Sequence, residues 1–346
     1  MNKKAAIIIV NWNGLRLLKN CLASIYDQSY KNFDVYFVDN GSIDGSPDYI
    51  KANFPETKII QLDKNYGFAK GNNEGIKEAF KDKEVEYIVC LNNDTTVEKN
   101  FLEKTILVAE KHNNVSSVAP KIKFLYEKNL IDSVGILIHR DGGGINRGVR
   151  EFDRGQYNIS EEIFGACGAA ALYKKRALED IKYKEEYFDN IFFAYYEDLD
   201  LAWRLRLAGW KSIYQPEAII YHAHSVTAVS YSPFKAFHIN RNRFFMIIKD
   251  FPFRHLIKAL LLTPIRYLLL LNSIRIKKGP SYKLKEKTDI FTLFIIVLRG
   301  WFDVLRYLPI MLQKRCFIQK NKKASNKEIK KWFSKFSTNI EDMIYK

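Results

Sequence analysis

The sequence predicts an α/β fold, a mostly parallel sheet with flanking helices, followed by a basic helical region. Short β-branched runs alternate with helix-period segments through the first half, the pattern of a parallel sheet with crossover helices. Each run ends in polar turn residues, mainly Asn, Asp, Gly and Ser. Charge then divides the chain: from Tyr231 onward there are 25 Lys and Arg against 7 Asp and Glu, a net +18, whereas residues 1–230 carry 30 against 32, a net −2. An apolar content of 47% over 346 residues excludes a disordered chain and supplies a sizeable core.

The elements follow in order. Residues 5–10 read as a buried strand. Leu15, Leu18, Leu22 and Ile25 recur at helical spacing, and 33–38 and 58–62 form the second and third strands. A helix over 69–80 leads to a fourth strand at 87–91, and another over 99–111 precedes a strand at 115–119. Cys21, Cys90, Cys167 and Cys316 are widely spaced without a C-x-x-C, which predicts neither disulfides nor a thiolate zinc site and fits a reducing compartment. The apolar run after Lys4 stops at Asn11, too short for a secretion signal.

The strand ends carry the chemistry. Asn11 and Asn13 follow the first, Asp39-Asn40-Gly41-Ser42 the second, Asn65 the third, and Asn92-Asn93-Asp94 the fourth. Ligands of an open parallel sheet bind at the carboxyl ends of its strands, so these four turns are expected around one crevice. No G-x-G-x-x-G follows the first strand and no G-x-x-x-x-G-K-[ST] occurs, which argues against a nicotinamide enzyme or a P-loop. The remaining reading is a nucleotide held from its base and ribose by carboxylate and amide side chains. Asp39 suits a pyrimidine N–H or ribose hydroxyl, and Asp94 offers a hard oxygen to Mg²⁺ or Mn²⁺ beside a diphosphate.

Val10-Asn11-Trp12-Asn13-Gly14, Val38-Asp39-Asn40-Gly41-Ser42, Asn65-Tyr66-Gly67-Phe68-Ala69-Lys70-Gly71-Asn72-Asn73 and Leu91-Asn92-Asn93-Asp94-Thr95 resemble, in sequence order, the donor-site motifs of glycosyltransferase family 2. The resemblance covers roughly residues 5–245. It implies a Rossmann-like GT-A domain over 1–245, with a donor half to about 120 and an acceptor half beyond it. It further implies an inverting enzyme that binds a nucleotide-diphosphate sugar through Asn11, Asn13, Asp39, Ser42, Asn65, Lys70, Asn73, Asn93 and Asp94. The family's metal motif is often Asp-x-Asp; Asn92-Asn93-Asp94 leaves Asp94 as its one carboxylate. His222, closing an apolar run, is by resemblance a second ligand of Mg²⁺ or Mn²⁺, with His224 the weaker candidate. Gly165 and Ala166 resemble the small-residue loop lining the donor sugar.

Inverting transfer needs a carboxylate to take the proton from an acceptor hydroxyl. Glu197, Asp198 and Asp200 are the concentrated supply. The residues alone leave open that Asp198 caps a helix over 199–208, with Asp200 in its first turn. The resemblance makes Asp198 the catalytic base and Glu197 its assistant. Cys167 reads as spatial filler, Trp203 and Trp210 as core or sugar-platform residues, and Arg204 as either a phosphate contact or a solvated helix residue. Residues 140–148 read as a flexible basic loop between the halves. The run 140–157 together with the Glu197-Asp198 segment resembles the rhamnosyltransferase subgroup, which implies a dTDP-rhamnose donor.

In the basic region, 246–346, two apolar stretches at 256–275 and 289–313 are interrupted by Lys258, Arg266, Arg299 and Arg306, and no uncharged run exceeds nine residues. They are therefore expected to lie in a membrane surface among anionic lipids rather than to cross it. The alternative is a helical subdomain or homo-oligomer interface with a basic rim. No nucleic-acid module accompanies the charge. The whole reads as a cytoplasmic glycosyltransferase, peripheral on the inner face of the membrane, adding sugar to a glycan or lipid-linked acceptor in cell-surface polysaccharide synthesis. The competing reading is a non-catalytic sugar-nucleotide or glycan binding module on a membrane scaffold.

Overall fold

The computed structural model describes residues 3–223 and 231–345. The chain forms two compact units, the first from Met1–Ile136, Asn146–Phe193 and Glu197–Thr227, the second from Leu137–Ile145, Ala194–Tyr196 and Ala228–Lys346. The strands are β1 (Lys4–Asn11), β2 (Phe33–Asp39), β3 (Lys58–Gln61), β4 (Val85–Asn92), β5 (Thr95–Val97), β6 (Val115–Phe124), β7 (Ile131–Ser133), β8 (Ile136–Ile138), β9 (Gly144–Asn146), β10 (Glu161–Ile163), β11 (Ala170–Lys174) and β12 (Lys211–His222). The first unit's helices are α1 (Leu15–Tyr26), α2 (Ser46–Asn53), α3 (Gly67–Ala79), α4 (Phe101–Lys111), α5 (Lys175–Ile181) and α6 (Glu197–Leu207).

Its sheet runs β10-β12-β6-β11-β4-β1-β2-β3, with β5 added to β12 and β7 to β6. The strands β4, β1, β2 and β3 are parallel, as the alternating pattern predicts, and so are β6 and β12. β11 is the exception, antiparallel to both β4 and β6. The continuous apolar strands are buried on both faces. Ile7, Ile9, Phe37 and Val89 pack against Leu18, Leu22 and Ile25 of α1 and Phe101 of α4, while Ala6, Ile8, Val38 and Ile88 pack against Ile76 of α3 and Leu201 and Leu205 of α6. Each such side chain fully buried contributes about 1.5–3 kcal/mol. Register sets the consequence: Asn11 lies beside Asp39, and Val10 beside Asn92, so three motif-bearing ends finish at one edge.

The second unit holds α7 (Pro233–Asp250), α8 (Phe253–Arg275), α9 (Gly279–Lys285), α10 (Ile290–Lys320), α11 (Asn326–Lys335) and α12 (Ile340–Tyr345). The sequence boundary at 245 therefore falls inside α7. The run 140–148 is not a free loop either. Asp141 is fully buried, accepts from Arg266 Nη1 at 2.8 Å and the Gly143 amide at 2.7 Å and lies 2.8 Å from His139 Nδ1; the hydrogen bond with His139 and the Arg266 charge hold its carboxyl well below the usual range despite burial. α8 is long and apolar enough to cross a membrane by length and composition. Counting uncharged runs missed this, because a helix of 23 residues tolerates a few scattered charges. α8 and α10 leave Leu261, Leu268, Phe291, Phe302 and Leu305 each about two-thirds exposed.

Candidate active site

A hydrogen-bonded chain joins the ends of β4, β1 and β2. Asn93 Nδ2 donates to Asn11 Oδ1 at 2.7 Å, Asn11 Nδ2 to Ser42 Oγ at 3.2 Å, and the Ser42 amide to Asp39 Oδ2 at 3.1 Å. Asn13, in the left-handed region at φ 50°, donates its amide to the same Ser42 Oγ and accepts from the Ile43 amide at 2.8 Å. Gly14 follows because a Cβ there would lie 2.3 Å from Asn93 Nδ2. Asp39 is buried, yet its Oδ1 has no hydrogen-bond partner among the described residues. Such an acceptor costs about 1–3 kcal/mol, which a ligand donor removes.

The third motif folds onto the same edge. Asn40 Nδ2 donates to Asn65 Oδ1 at 3.2 Å and to the Gly67 carbonyl at 3.0 Å, and Asn65 Oδ1 also takes the Gly67 amide at 2.8 Å. Asn65 thus shapes the turn that starts α3. Lys70 Nζ lies 3.7 Å from the centre of the Tyr66 ring. Asn73, expected at the donor, is instead saturated. Its Nδ2 donates to the Phe188 carbonyl and Asn190 Oδ1, its Oδ1 accepts from the Tyr187 and Phe188 amides, and the residue is fully buried. No bonding capacity remains for a ligand, so Asn73 fastens the 187–190 segment to α3.

Beyond β4, Asp94 meets His222 from the end of β12, with Oδ1 3.1 Å from Nε2. The other ring nitrogen, Nδ1, lies 2.7 Å from Asp132 Oδ2 on β7. Pairing of both β7 and β12 with β6 brings these two residues together across 90 positions of sequence. Burial opposes the imidazolium, but hydrogen bonds to Asp132 and Asp94 outweigh it and raise the His222 pKa to about 10. His224 lies outside the described residues. Among the described residues no group of three or more His, Cys, Asp and Glu is placed to hold a metal ion, so this chain would supply at most two ligands here. Once the Nε2 proton that faces Asp94 is given up, an aspartate oxygen and an imidazole nitrogen at one point fit a divalent ion completed by phosphate oxygens and water, with Asp132 holding the proton on Nδ1.

The paired carboxylates open α6. Its first residue is Glu197, so Asp198 sits within the first turn and is not the cap. Asp198 Oδ2 accepts the Gly168 amide at 2.9 Å and Oδ1 the Leu199 amide at 2.7 Å; the side chain is closely surrounded but keeps an accessible face. Burial raises its pKa against these amides. Glu197 is buried, Oε2 has no partner among the described residues, and burial followed by the neighbouring Asp198 charge pushes its pKa well above the carboxylate range. The Asn92 amide donates to the Ala169 carbonyl at 2.9 Å, which sets the Gly168–Asp198 contact beside Asn93 and Asp94. Cys167, in electrostatic range of both Asp198 and Asp132, is pushed by burial well above the thiol range and stays protonated.

The small-residue loop departs from expectation. A Cβ on Gly165 would lie 2.3 Å from Ala202 of α6, and Ala166 is in the core, so both serve packing; Gly168 is the residue that approaches a carboxylate. Trp203 is buried against Phe164, and Arg204 pairs with Asp200 at 2.8 Å. Gly168 belongs to the same small-residue run in the sequence, but Asp132 was not legible: Ile131-Asp132-Ser133 carries no motif, and only long-range pairing assigns it a partner.

A family model described as "Glycosyl transferase family 2" matches residues 6–182. The poly-beta-1,6-N-acetyl-D-glucosamine synthase of Staphylococcus epidermidis is 24% identical over 217 residues, 62% of this chain and 48% of that protein. Its Staphylococcus aureus (strain COL) counterpart is 26% identical over 244 residues, 63% of this chain and 52% of that one. The chain thus spans about half the length of the curated relatives it matches. In fold, it is similar to GalNAc-T7 solved with UDP, GalNAc and Mn²⁺ (TM-score 0.56, 13% identity, 71% of this chain and 48% of that one). It is also similar to the mannosyltransferase PcManGT from Pyrobaculum calidifontis in complex with GDP-Man and Mn²⁺ (TM-score 0.51, 16% identity, 90% and 86%).

Proposed function

From the premise that the chain belongs to glycosyltransferase family 2 and is a glycosyltransferase, we propose that it inverts the anomeric centre of a nucleotide-diphosphate sugar in a single displacement, with Asp198 as base. The observation that carries this is the raised, amide-held Asp198 carboxylate beside the Asn11–Ser42–Asp39 chain and Asp94. Asp39 receives a pyrimidine N–H or ribose hydroxyl on its partnerless Oδ1. Asp94 and His222 would hold Mg²⁺ or Mn²⁺, which neutralises charge on the leaving diphosphate when bound. Asp198 takes the proton as the acceptor oxygen bonds to the anomeric carbon, and the electron pair of the broken bond leaves with the diphosphate. Burial and the neighbouring Asp198 charge push the Glu197 pKa well above the carboxylate range, so Glu197 holds its proton more firmly than Asp198 and leaves Asp198 as the base.

The relatives' name supports polysaccharide synthesis, and a glycan or lipid-linked acceptor is the further part of the proposal. The run 140–157 supports dTDP-rhamnose as donor and the relatives' polymer supports an activated N-acetylglucosamine, so both belong in the first assay. The exposed apolar residues of α8 and α10 and the net +18 from Tyr231 onward support a place on the inner membrane face among anionic lipids. Asn92-Asn93 in place of a second metal carboxylate favours one rival, a binding module without turnover. Asp198→Asn decides between them. It should abolish transfer while donor affinity stays within about tenfold, or 1.4 kcal/mol. Transfer at the wild-type rate rejects the base, and nucleotide-sugar binding by the wild type without any transfer or hydrolysis supports the module.

A further inference from the structure

Within the second unit, a cavity of about 460 Å³ opens at the surface between α7 and α10, lined by Phe237, Leu298, Arg299, Phe302, Asp303 and Arg306. Its size lies in the range of small-ligand sites. Two kinds of group meet there. Phe237 is half-buried and Leu298 and Phe302 are exposed, an apolar lining without a protein cover. Arg299 and Arg306 are exposed and seven residues apart, two turns and about 10 Å along one helix face.

Asp303 stands between them, spaced to pair with either, but it is taken from the other side. Arg241 Nη1 of α7 lies 3.3 Å from Asp303 Oδ2. Neither Arg299 nor Arg306 therefore has a carboxylate partner among the described residues; Arg306 only skirts the adjacent Tyr307 ring, 5.7 Å from its centre. A wholly apolar partner would leave two desolvated guanidinium groups uncompensated, and a small hydrophilic anion would leave the aromatic lining in water. The chemistry that satisfies both is an anionic head on a hydrocarbon chain.

We propose that this groove binds the terminal phosphate of a membrane lipid, gripped between Arg299 and Arg306, with its first methylenes on Phe237, Leu298 and Phe302. Terminal phosphate oxygens accept the planar donor fork of each guanidinium, and the neighbouring exposed residues Phe294 and Leu305 carry the same apolar face along α10. The inference rests on the membrane part of the reading above and adds a defined headgroup to it.

The test uses the full chain and three vesicle types: phosphatidylcholine alone, phosphatidylcholine with phosphatidylglycerol, and phosphatidylcholine with phosphatidic acid, the last two matched for surface charge. Cosedimentation should rank phosphatidic acid above phosphatidylglycerol, and both above phosphatidylcholine. Arg299→Ala with Arg306→Ala should weaken binding to phosphatidic acid roughly thirtyfold, the loss expected for two cations at a bilayer surface. Lys285→Ala with Lys327→Ala, an equal charge loss elsewhere, should leave the preference for phosphatidic acid intact. All four positions are exposed, and unchanged melting midpoints confirm folding. Equal losses from the two double variants overturn the groove while leaving the membrane reading; no binding to any anionic vesicle overturns both. Displacement by millimolar inorganic phosphate overturns the lipid assignment.

Discussion

Asp39→Asn separates the two faces of one carboxylate. In the wild type, Oδ2 accepts the Ser42 amide at 3.1 Å, whereas Oδ1 is buried without a partner among the described residues. Asparagine keeps the first bond through its carbonyl oxygen and puts an amide NH₂ where the second oxygen was. An acceptor of a ligand N–H or O–H becomes a donor facing a donor. A hydrogen bond to a charged group nets about 1.5–3 kcal/mol, so the dissociation constant of a pyrimidine nucleotide should rise roughly 10- to 150-fold. The free protein should respond in the opposite sense, since replacing a partnerless buried carboxylate oxygen with a neutral group removes desolvation cost. Its melting midpoint is expected at or above the wild-type value. Titration calorimetry with UDP, dTDP and GDP, without metal, reads the first effect, and thermal denaturation the second. Pyrimidine affinity within about threefold of wild type would refute the assignment, and so would a variant that fails to fold.

Other outcomes follow from the same geometry. Asp132→Asn should weaken Mn²⁺ binding, read by electron paramagnetic resonance, about 10- to 100-fold while metal-free nucleotide binding stays unchanged; unaltered Mn²⁺ affinity would remove Asp132 from the metal corner. Glu197→Gln should raise the melting midpoint near neutral pH. A carboxyl whose pKa is raised on folding contributes stability that is full below its unfolded pKa and lost as pH rises through the folded one, so the variant's advantage must disappear in acid. A midpoint difference independent of pH would contradict this. Gly67→Ala, at φ +85° with its new Cβ 2.4 Å from the Phe193 carbonyl, should cost about 1–3 kcal/mol in denaturant unfolding. An unchanged midpoint would mean that the turn relaxes freely.

What could be read from the sequence was local. The strands that became β1, β2, β3 and β4 announce themselves as short apolar runs, and the residues that cap them, Asn11, Asp39 and Asn93, fall at the sheet edge because register in parallel strands carries neighbours to the same height. Antiparallel β11 was not legible, since five residues that enter from a distant loop have no periodicity that reveals direction. Asn73 and Gly165 show the limit of matching residue types. An amide that looks free in sequence is consumed by the 187–190 backbone, and a glycine that looks like room for a sugar is room for Ala202. Asp132 is the converse, a partner of His222 made only by tertiary pairing.

The second unit is assembled from pieces far apart in the chain. The Ile138 amide donates to the Phe336 carbonyl at 2.9 Å and the Thr338 amide to the Ile138 carbonyl at 3.0 Å, and the buried Asp141 waits for Arg266. During synthesis on the ribosome, residues 137–145 emerge some 200 residues before the segment that completes them. No single cut can therefore release two finished halves, and a chain stopped short of 336 would be left with an unsatisfied strand edge midway along its length. Expression trials that trim the basic tail for solubility should expect insoluble product for that reason.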